Sequence, residues 1–527
     1  MSEFWVPSPH RPADGDRFYV KQAASAAHIY GKTVVCAEGF TSIGPQWNEV
    51  LWNMQKPSFD HEACAGLNLV FWHTFTCSPK EMGIPGQEYF AGSHFNPQIT
   101  WAKQAPAFVS YLNRCQFLLQ QGKFVADVLY YYGNHVPNFA RLKQDDPAKV
   151  LPQYDYDVIN EEVLLDKLIV KEGRLVIPGD SGMSYRVLVL PAIKVLSLEA
   201  ARKVRALVQA GAVVIGPKPE RTSGLQDGAE FKSIVDGLWS PLEKNNVSVW
   251  SDKTTKGVLK DLGVLPDVEG IPDWIHRRDG EIDIYFLSNQ KAEPLKTDCI
   301  FRVHGKVPEL WDPVTGEKRD ALAYSATTYT PTGTVVPLEF GPYGSVFVVF
   351  RYPAPNGRYV GAKNYPEYKK IGELPGSWTV RFDPKWGGPE SVEFAELTSW
   401  PMRPEEGIKW YGGTATYSKA FDLPPHHTGK KLFLDLGSVM NLAEVRLNGK
   451  NLGVVWTPPF RVNISDAVRA TGNKLEIDVV NPWYNRLIKD LTLPENQRLT
   501  KTNIRLKPNA KPVSSGLLGP VQILEAQ

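Results

Sequence analysis

The chain has 527 residues, 43% of them hydrophobic and 22% charged, with a formal net charge of +2. That length exceeds one ordinary core and predicts three or four domains, and the composition is that of a globular chain. The near-neutral balance without a basic block argues against a nucleic-acid surface, and no apolar run reaches the roughly 18 residues of a membrane span.

The five cysteines, Cys36, Cys64, Cys77, Cys115 and Cys299, include no C-x-x-C pair. A sparse, odd set predicts neither a disulfide framework nor a zinc site. The start, Met1-Ser-Glu-Phe-Trp-Val-Pro, has no basic segment followed by an apolar one, so no signal peptide is read in this chain. The expected location is periplasmic or extracellular if a preceding segment carries a signal, and cytoplasmic otherwise. Fifteen Trp and 21 Tyr add a mild tilt toward sugar binding, since aromatic faces pack on the C–H faces of pyranose rings.

In chain order, residues 1 to 32 open with a Pro-rich loop and continue as a helix from Phe18 to Tyr30, carrying His28 near its end. Thr33 to Phe40 is a buried strand that delivers Glu38 at its carboxyl end. Trp47 to Lys56 is helix or loop. Ala65 to Thr76 holds a second buried strand, ending in His73 and Thr74, and a Gly/Pro-rich loop with His94 follows. Thr100 to Gln121 is helical, because Trp101, Phe108, Tyr111, Leu112, Cys115, Leu118 and Leu119 recur at helical spacing. Lys123 to Gly133 reads as a third buried strand, with Asp127 inside it and Tyr131 near its end. Polar groups at strand ends, with helices between, are the grammar of parallel βα units. Three strands are less than half of a (β/α)8 barrel, and there is no room before residue 33 for its early strands.

Tyr185 to Pro191 and Ala212 to Gly216 are strands flanking a helix capped by Ser197. They predict an open α/β domain of flavodoxin or amidotransferase type without a phosphate-binding fingerprint. Short alternating runs between 270 and 352 predict a small antiparallel sandwich, and 353 to 375 a linker. From 376 on, period-2 strands and the Asn448-Gly449 hairpin turn predict a jelly roll. Trp456, Pro458, Pro459 and Phe460 would leave an apolar patch if that domain hung free, so it is expected to pack against the rest. The expected domains are therefore 1–140, 141–268, 269–352 and 376–527, with 353–375 between the last two.

Two regions carry a resemblance. The run Val445-Arg-Leu-Asn-Gly-Lys-Asn-Leu-Gly-Val-Val-Trp-Thr-Pro-Pro-Phe resembles the galactose-binding-like jelly roll of glycoside hydrolase family 2. The segments Ala26-Ala-His-Ile-Tyr-Gly, Ala37-Glu-Gly-Phe-Thr-Ser, His73-Thr-Phe, Tyr111-Leu-Asn-Arg-Cys and Val125-Ala-Asp-Val-Leu-Tyr-Tyr-Tyr-Gly resemble glycoside hydrolase family 106, the α-L-rhamnosidases. This resemblance implies a (β/α)8 catalytic domain, inverting hydrolysis of rhamnosylated glycans or glycosides, and calcium, whose ligands it does not assign. By it Glu38 matches the general base, and His28, His73, His94, Asp127 and Tyr131 become candidates for binding sugar hydroxyls or placing the metal.

The departure is the general acid, which the resemblance places on an earlier strand. Glu3 is a candidate by default, so the expectation is a fragment that works with an N-terminal half of the same enzyme. Two other readings compete. One is a non-catalytic carbohydrate-binding or scaffold protein with the jelly roll as its working module. The other is a retaining β-glycosidase, which needs a second carboxylate roughly 5–5.5 Å from Glu38.

Overall fold

A computed structural model describes residues 1–6, 20–43, 47–135, 138–140, 143, 146, 148–192, 194–224, 227–240, 249–326, 333–354, 363–507 and 509–527. The first unit alternates strand and helix: β1 (Ser2–Trp5), α1 (Val20–Ile29), β2 (Cys36–Thr41), α2 (Lys56–Cys64), β3 (Leu69–Trp72) and α3 (Ala105–Leu119). The strands form one parallel sheet in the order β1-β2-β3. β1 supplies a strand where the sequence pattern suggested only loop. Four residues are too few for alternation to show, and the Pro-rich stretch after them hides it.

The helices also shift from expectation. Phe18 and Tyr19 lie outside the described residues. Leu51–Gln55, within the stretch read as helix or loop, forms a π-helical turn that runs directly into α2 at Lys56, with Pro57 in the first turn of α2. Almost all of α2 is buried, because it is wedged between the first sheet and the later β sandwich. Its Lys56 donates to Asp60 at 2.7 Å and to the Tyr343 carbonyl at 2.6 Å, and the Tyr111 hydroxyl also donates to Asp60.

The stretch read as a third barrel strand divides. Lys123–Phe124 pairs antiparallel with a strand of the sandwich, at Arg277 and Arg278. The rest, β4 (Val128–Tyr131), lies inside a second parallel sheet with β5 (Tyr156–Ile159), β6 (Val187–Val189), β7 (Val213–Ile215) and β8 (Val249–Trp250). Across that sheet the order is β8-β7-β6-β4-β5. The break falls at Asp127, which hydrogen-bonds through its backbone to Asp155 and Arg186 before β4 begins. A continuous apolar run marks a doubly buried strand but not the sheet it joins, because pairing is a tertiary choice.

The sandwich stacks a six-stranded antiparallel sheet on a four-stranded one around Trp274, Tyr285, Phe301, Leu338 and Val348. The last domain is also two antiparallel sheets, of six and four strands, around Trp378, Val380, Tyr417, Leu434, Val445, Ile477 and Ile523. Tyr368–Glu373, expected within the linker, is already a strand of this domain and pairs with Gln522–Ala526. The domain packs against the chain as its apolar turn predicts. Trp456 is 1% exposed, with its ring 5.1 Å from Phe108 and 5.4 Å from Tyr111, both on α3. Among the described residues no helix is long and apolar enough to cross a membrane.

Candidate active site at the carboxyl end of the first sheet

Alternation sorts the first sheet into two faces. Phe4, Ala37, Gly39, Val70 and Trp72 lie on one, where Phe40 and Trp72 pack on Phe108 of α3. A Cβ at Gly39 would come within 2.5 Å of the Phe4 ring, so glycine there lets β1 close on β2. Glu3, Glu38 and Phe71 form a row across the other face, since Glu3 is the register partner of Glu38 and Glu38 of Phe71.

At the carboxyl end of β2 the chain kinks. Phe40 takes a left-handed backbone (φ 66°), and Thr41 turns back to donate its hydroxyl to Glu38 Oε1 at 3.0 Å. His73, just past β3, brings Nε2 to 3.9 Å from the same oxygen. A Cβ on Gly92 would lie 2.9 Å from His73 Nδ1, so a glycine is needed to let this loop approach the imidazole. Glu38 is 34% exposed, which leaves a carboxylate that water can reach, oriented by one hydroxyl and flanked by one imidazole. Glu3 instead accepts from its own neighbour, the Trp5 indole N–H.

Of the residues singled out from sequence, Glu38 and His73 therefore come together, and four others do not join them. His28 faces away through α1, with Nδ1 3.0 Å from Asp157 and its ring stacked on Phe124 at 4.4 Å. A helix-end histidine follows the helix's buried face, and here that face meets β5. His94 is buried, stacked on Trp47 at 4.4 Å with Nδ1 2.8 Å from Glu49. Burial alone would push the His94 pKa down, but the Glu49 carboxylate outweighs it and holds it above the ordinary value.

Asp127 stands at the amino end of β4, the wrong end for a barrel-type site, and pairs with Arg302 of the sandwich at 2.8 Å. Tyr131 is buried at the other end of β4, 3.4 Å from Glu161, and burial first, then that carboxylate, raise its phenol. Thr41 was missed from sequence. Its signal was its place three residues after Glu38, which becomes a contact only because of the kink at Phe40.

No three His, Cys, Asp or Glu side chains converge as a metal cage among the described residues. Glu3 and Glu38 by themselves fall short of the roughly six to eight oxygens that calcium takes.

Comparison with known proteins agrees with this architecture. A family model described as alpha-L-rhamnosidase, of glycoside hydrolase family 106, matches residues 1–326. Another, described as glycosyl hydrolase 2 galactose-binding domain-like, matches residues 402–508. The solved structure of a rhamnosidase from Novosphingobium sp. PP1Y is 34% identical with a TM-score of 0.89, over 100% of this chain and 51% of that one. A curated Formosa agariphila protein, provisionally named a beta-glucuronidase, is 26% identical over 99% of this chain and 65% of its own length. The chain thus spans about half of the solved structure and under two thirds of the curated relative.

Proposed function

The chain belongs to glycoside hydrolase family 106, the alpha-L-rhamnosidases, and from that premise we propose that it carries the base half of an inverting rhamnosidase site, with Glu38 as general base. The observation that carries this reading is the placement of Glu38. It sits on an open sheet face two residues before the kink at Phe40, in register with Glu3 of β1 and Phe71 of β3, with one oxygen reached by Thr41 and His73 from the carboxyl ends of β2 and β3. Such strand ends are where barrel enzymes gather their chemistry. An ionised carboxylate there takes a proton from water as that water attacks the anomeric carbon, while an acid on the opposite side of the sugar protonates the departing oxygen.

In this reading the acid and the other barrel strands come from polypeptide beyond these residues, and the substrate is a rhamnosylated glycan or glycoside. Glu3 is a poor acid for inversion. Its register partnership puts it one strand, about 4.8 Å, from Glu38 at the backbone, and its carboxylate is already engaged as the acceptor of the Trp5 indole N–H. That closeness gives the retaining reading its one favourable observation.

One experiment separates the two. The chain is incubated with a 4-nitrophenyl α-L-rhamnoside, alone and with the complementary barrel segment, and the first-formed anomer is read by NMR. The expected result is little turnover alone, then release of β-L-rhamnose with the complement. Glu38→Gln should lower kcat by about 10²–10⁴-fold, the usual worth of one acid–base group. First-formed α-L-rhamnose, abolished by Glu3→Gln, would overturn the inverting assignment. Robust turnover by the chain alone would overturn the half-site.

A further inference from the structure

We infer that Tyr89 and Phe90 form the apolar wall that receives the methyl group of a 6-deoxyhexose at the Glu38 site. The inference rests on the reading of Glu38 as the base and adds the determinant that distinguishes a deoxy sugar from its hydroxylated counterpart.

Three successive contacts lead outward from Glu38. His73 lies 3.9 Å from the carboxylate, Tyr89 meets His73 edge-on with ring centroids 5.6 Å apart, and Phe90 lies 4.5 Å from Tyr89. Tyr89 is 49% and Phe90 59% exposed, so two large rings face solvent beside a carboxylate and an imidazole.

The loop that holds them is not free to fold these rings away. Pro85 and Gly86 pair in parallel with Lys501 and Thr502 of the last domain. Asn503 then clamps the backbone of Glu88 from both sides, accepting from its N–H and donating to its carbonyl, each at 2.8 Å. Fixing the rings beforehand lowers the entropy lost when a ligand packs on them.

The occupant follows from the chemistry of the neighbour. A base that activates water holds that water against the anomeric carbon, so the sugar ring itself, and not a distant part of the glycan, lies within reach of Glu38. A 6-deoxyhexose is amphipathic in the matching sense. Its hydroxyls suit Glu38 and His73, and its C5 methyl suits two aromatic faces.

The test uses the full chain and two free sugars that differ at one atom, L-rhamnose and L-mannose, with dissociation constants from NMR titration. The wild type is expected to favour L-rhamnose by about tenfold, the low end of what one methyl-sized difference yields in an apolar pocket. Tyr89→Ala/Phe90→Ala should abolish that preference by weakening L-rhamnose alone, and Tyr89→Phe should retain it. Asn503→Ala, which frees the loop, should reduce the ratio in the same way. Thermal unfolding confirms that each variant folds.

A preference that survives in the double variant would overturn the wall, as would equal weakening of both sugars, which marks a merely structural role. A wild type that binds both sugars equally would overturn the wall and leave the Glu38 reading intact. Binding of neither sugar with the complementary barrel segment present would overturn both.

Discussion

Replacing Trp456 with alanine should uncouple the last domain from the rest. The indole projects from the apolar turn that precedes Pro458 and Phe460 and seats against Phe108 and Tyr111 on α3. A buried Trp removes about 200 Å² from water. At about 25 cal/mol per Å² that is about 5 kcal/mol, an upper value because the unfolded chain already covers part of that surface. Measured Trp→Ala losses of about 3–5 kcal/mol agree.

Because several domains share the chain, a single two-state fit is the wrong reading. The assay is urea unfolding followed by far-UV circular dichroism, beside limited proteolysis. In the wild type the last domain should unfold together with α3. In Trp456→Ala its transition should separate, and protease should release a fragment from about residue 363 onward. A loss of only about 0.5 kcal/mol, the size of a surface substitution, with no new fragment, would refute the claim that this contact holds the domain.

Two further substitutions test other parts of the fold. Asp127→Asn breaks a buried pair and leaves Arg302 with Asp267 at 3.6 Å. It should lower stability toward the low end of the about 3–5 kcal/mol seen for such pairs, since Arg302 is partly exposed, while L-rhamnose binding stays unchanged. A loss of binding at full stability would return Asp127 to the site. His276 is buried between Asp267 at 2.9 Å and Asp283 at 3.0 Å, and although burial opposes it, these carboxylates raise its pKa above 6.5. Burial likewise opposes ionisation of Asp267, but His276 and Arg302 draw it down to about 2. The histidine's contribution is therefore full below 6.5 and lost as pH rises through its folded value, and the aspartate's is lost as pH falls toward about 2. The stability gap between wild type and His276→Gln should be larger at pH 5.5 than at pH 9. A gap that grows toward high pH would show that the histidine is held neutral.

Local pattern carried the architecture where one segment settles its own structure. The helical repeat of Phe108, Tyr111, Leu112 and Cys115 and the Asn448-Gly449 hairpin appear where the pattern put them, whereas the strand that carries Glu38 begins only at Cys36, after the exposed Thr33 and Val34 that the β-branched run had placed inside it. What pattern could not reach was choice of partner. The 123–131 run looks equally apolar whether it joins the first sheet or divides between two others, and the division is set by the hydrogen bonds of Asp127 and Asp155. The same limit explains the site. Glu38 was legible, as a strand carboxylate shortly before a turn, because that depends only on its own segment. His28 and Asp127 were not, because Asp157 and Arg302, which hold them, lie far away in sequence.

The loops that follow β2 and β3 are held by the last domain at several separate points. Tyr484 donates its backbone N–H to the Trp47 carbonyl at 3.1 Å, Asn441 reaches the Glu49 carbonyl at 3.4 Å, Trp483 reaches the Gln98 carbonyl at 2.7 Å, and Asn503 clamps Glu88. Each such bond contributes only about 0.5–1.5 kcal/mol net. Ordering a long loop costs about 1–2 kcal/mol per residue in backbone entropy, so these bonds alone could not hold residues 74–98 in place. The larger part comes from burying Trp456 and Trp483 in a core shared with the first unit. The clamps then select one arrangement of a loop that is already confined. A domain whose only work was to hold sugar on its own surface would need none of these contacts. Their concentration on the loops around Glu38 and His73 makes the jelly roll a brace for that site, and it explains how exposed rings such as Tyr89 keep a fixed place beside a solvent-accessible carboxylate.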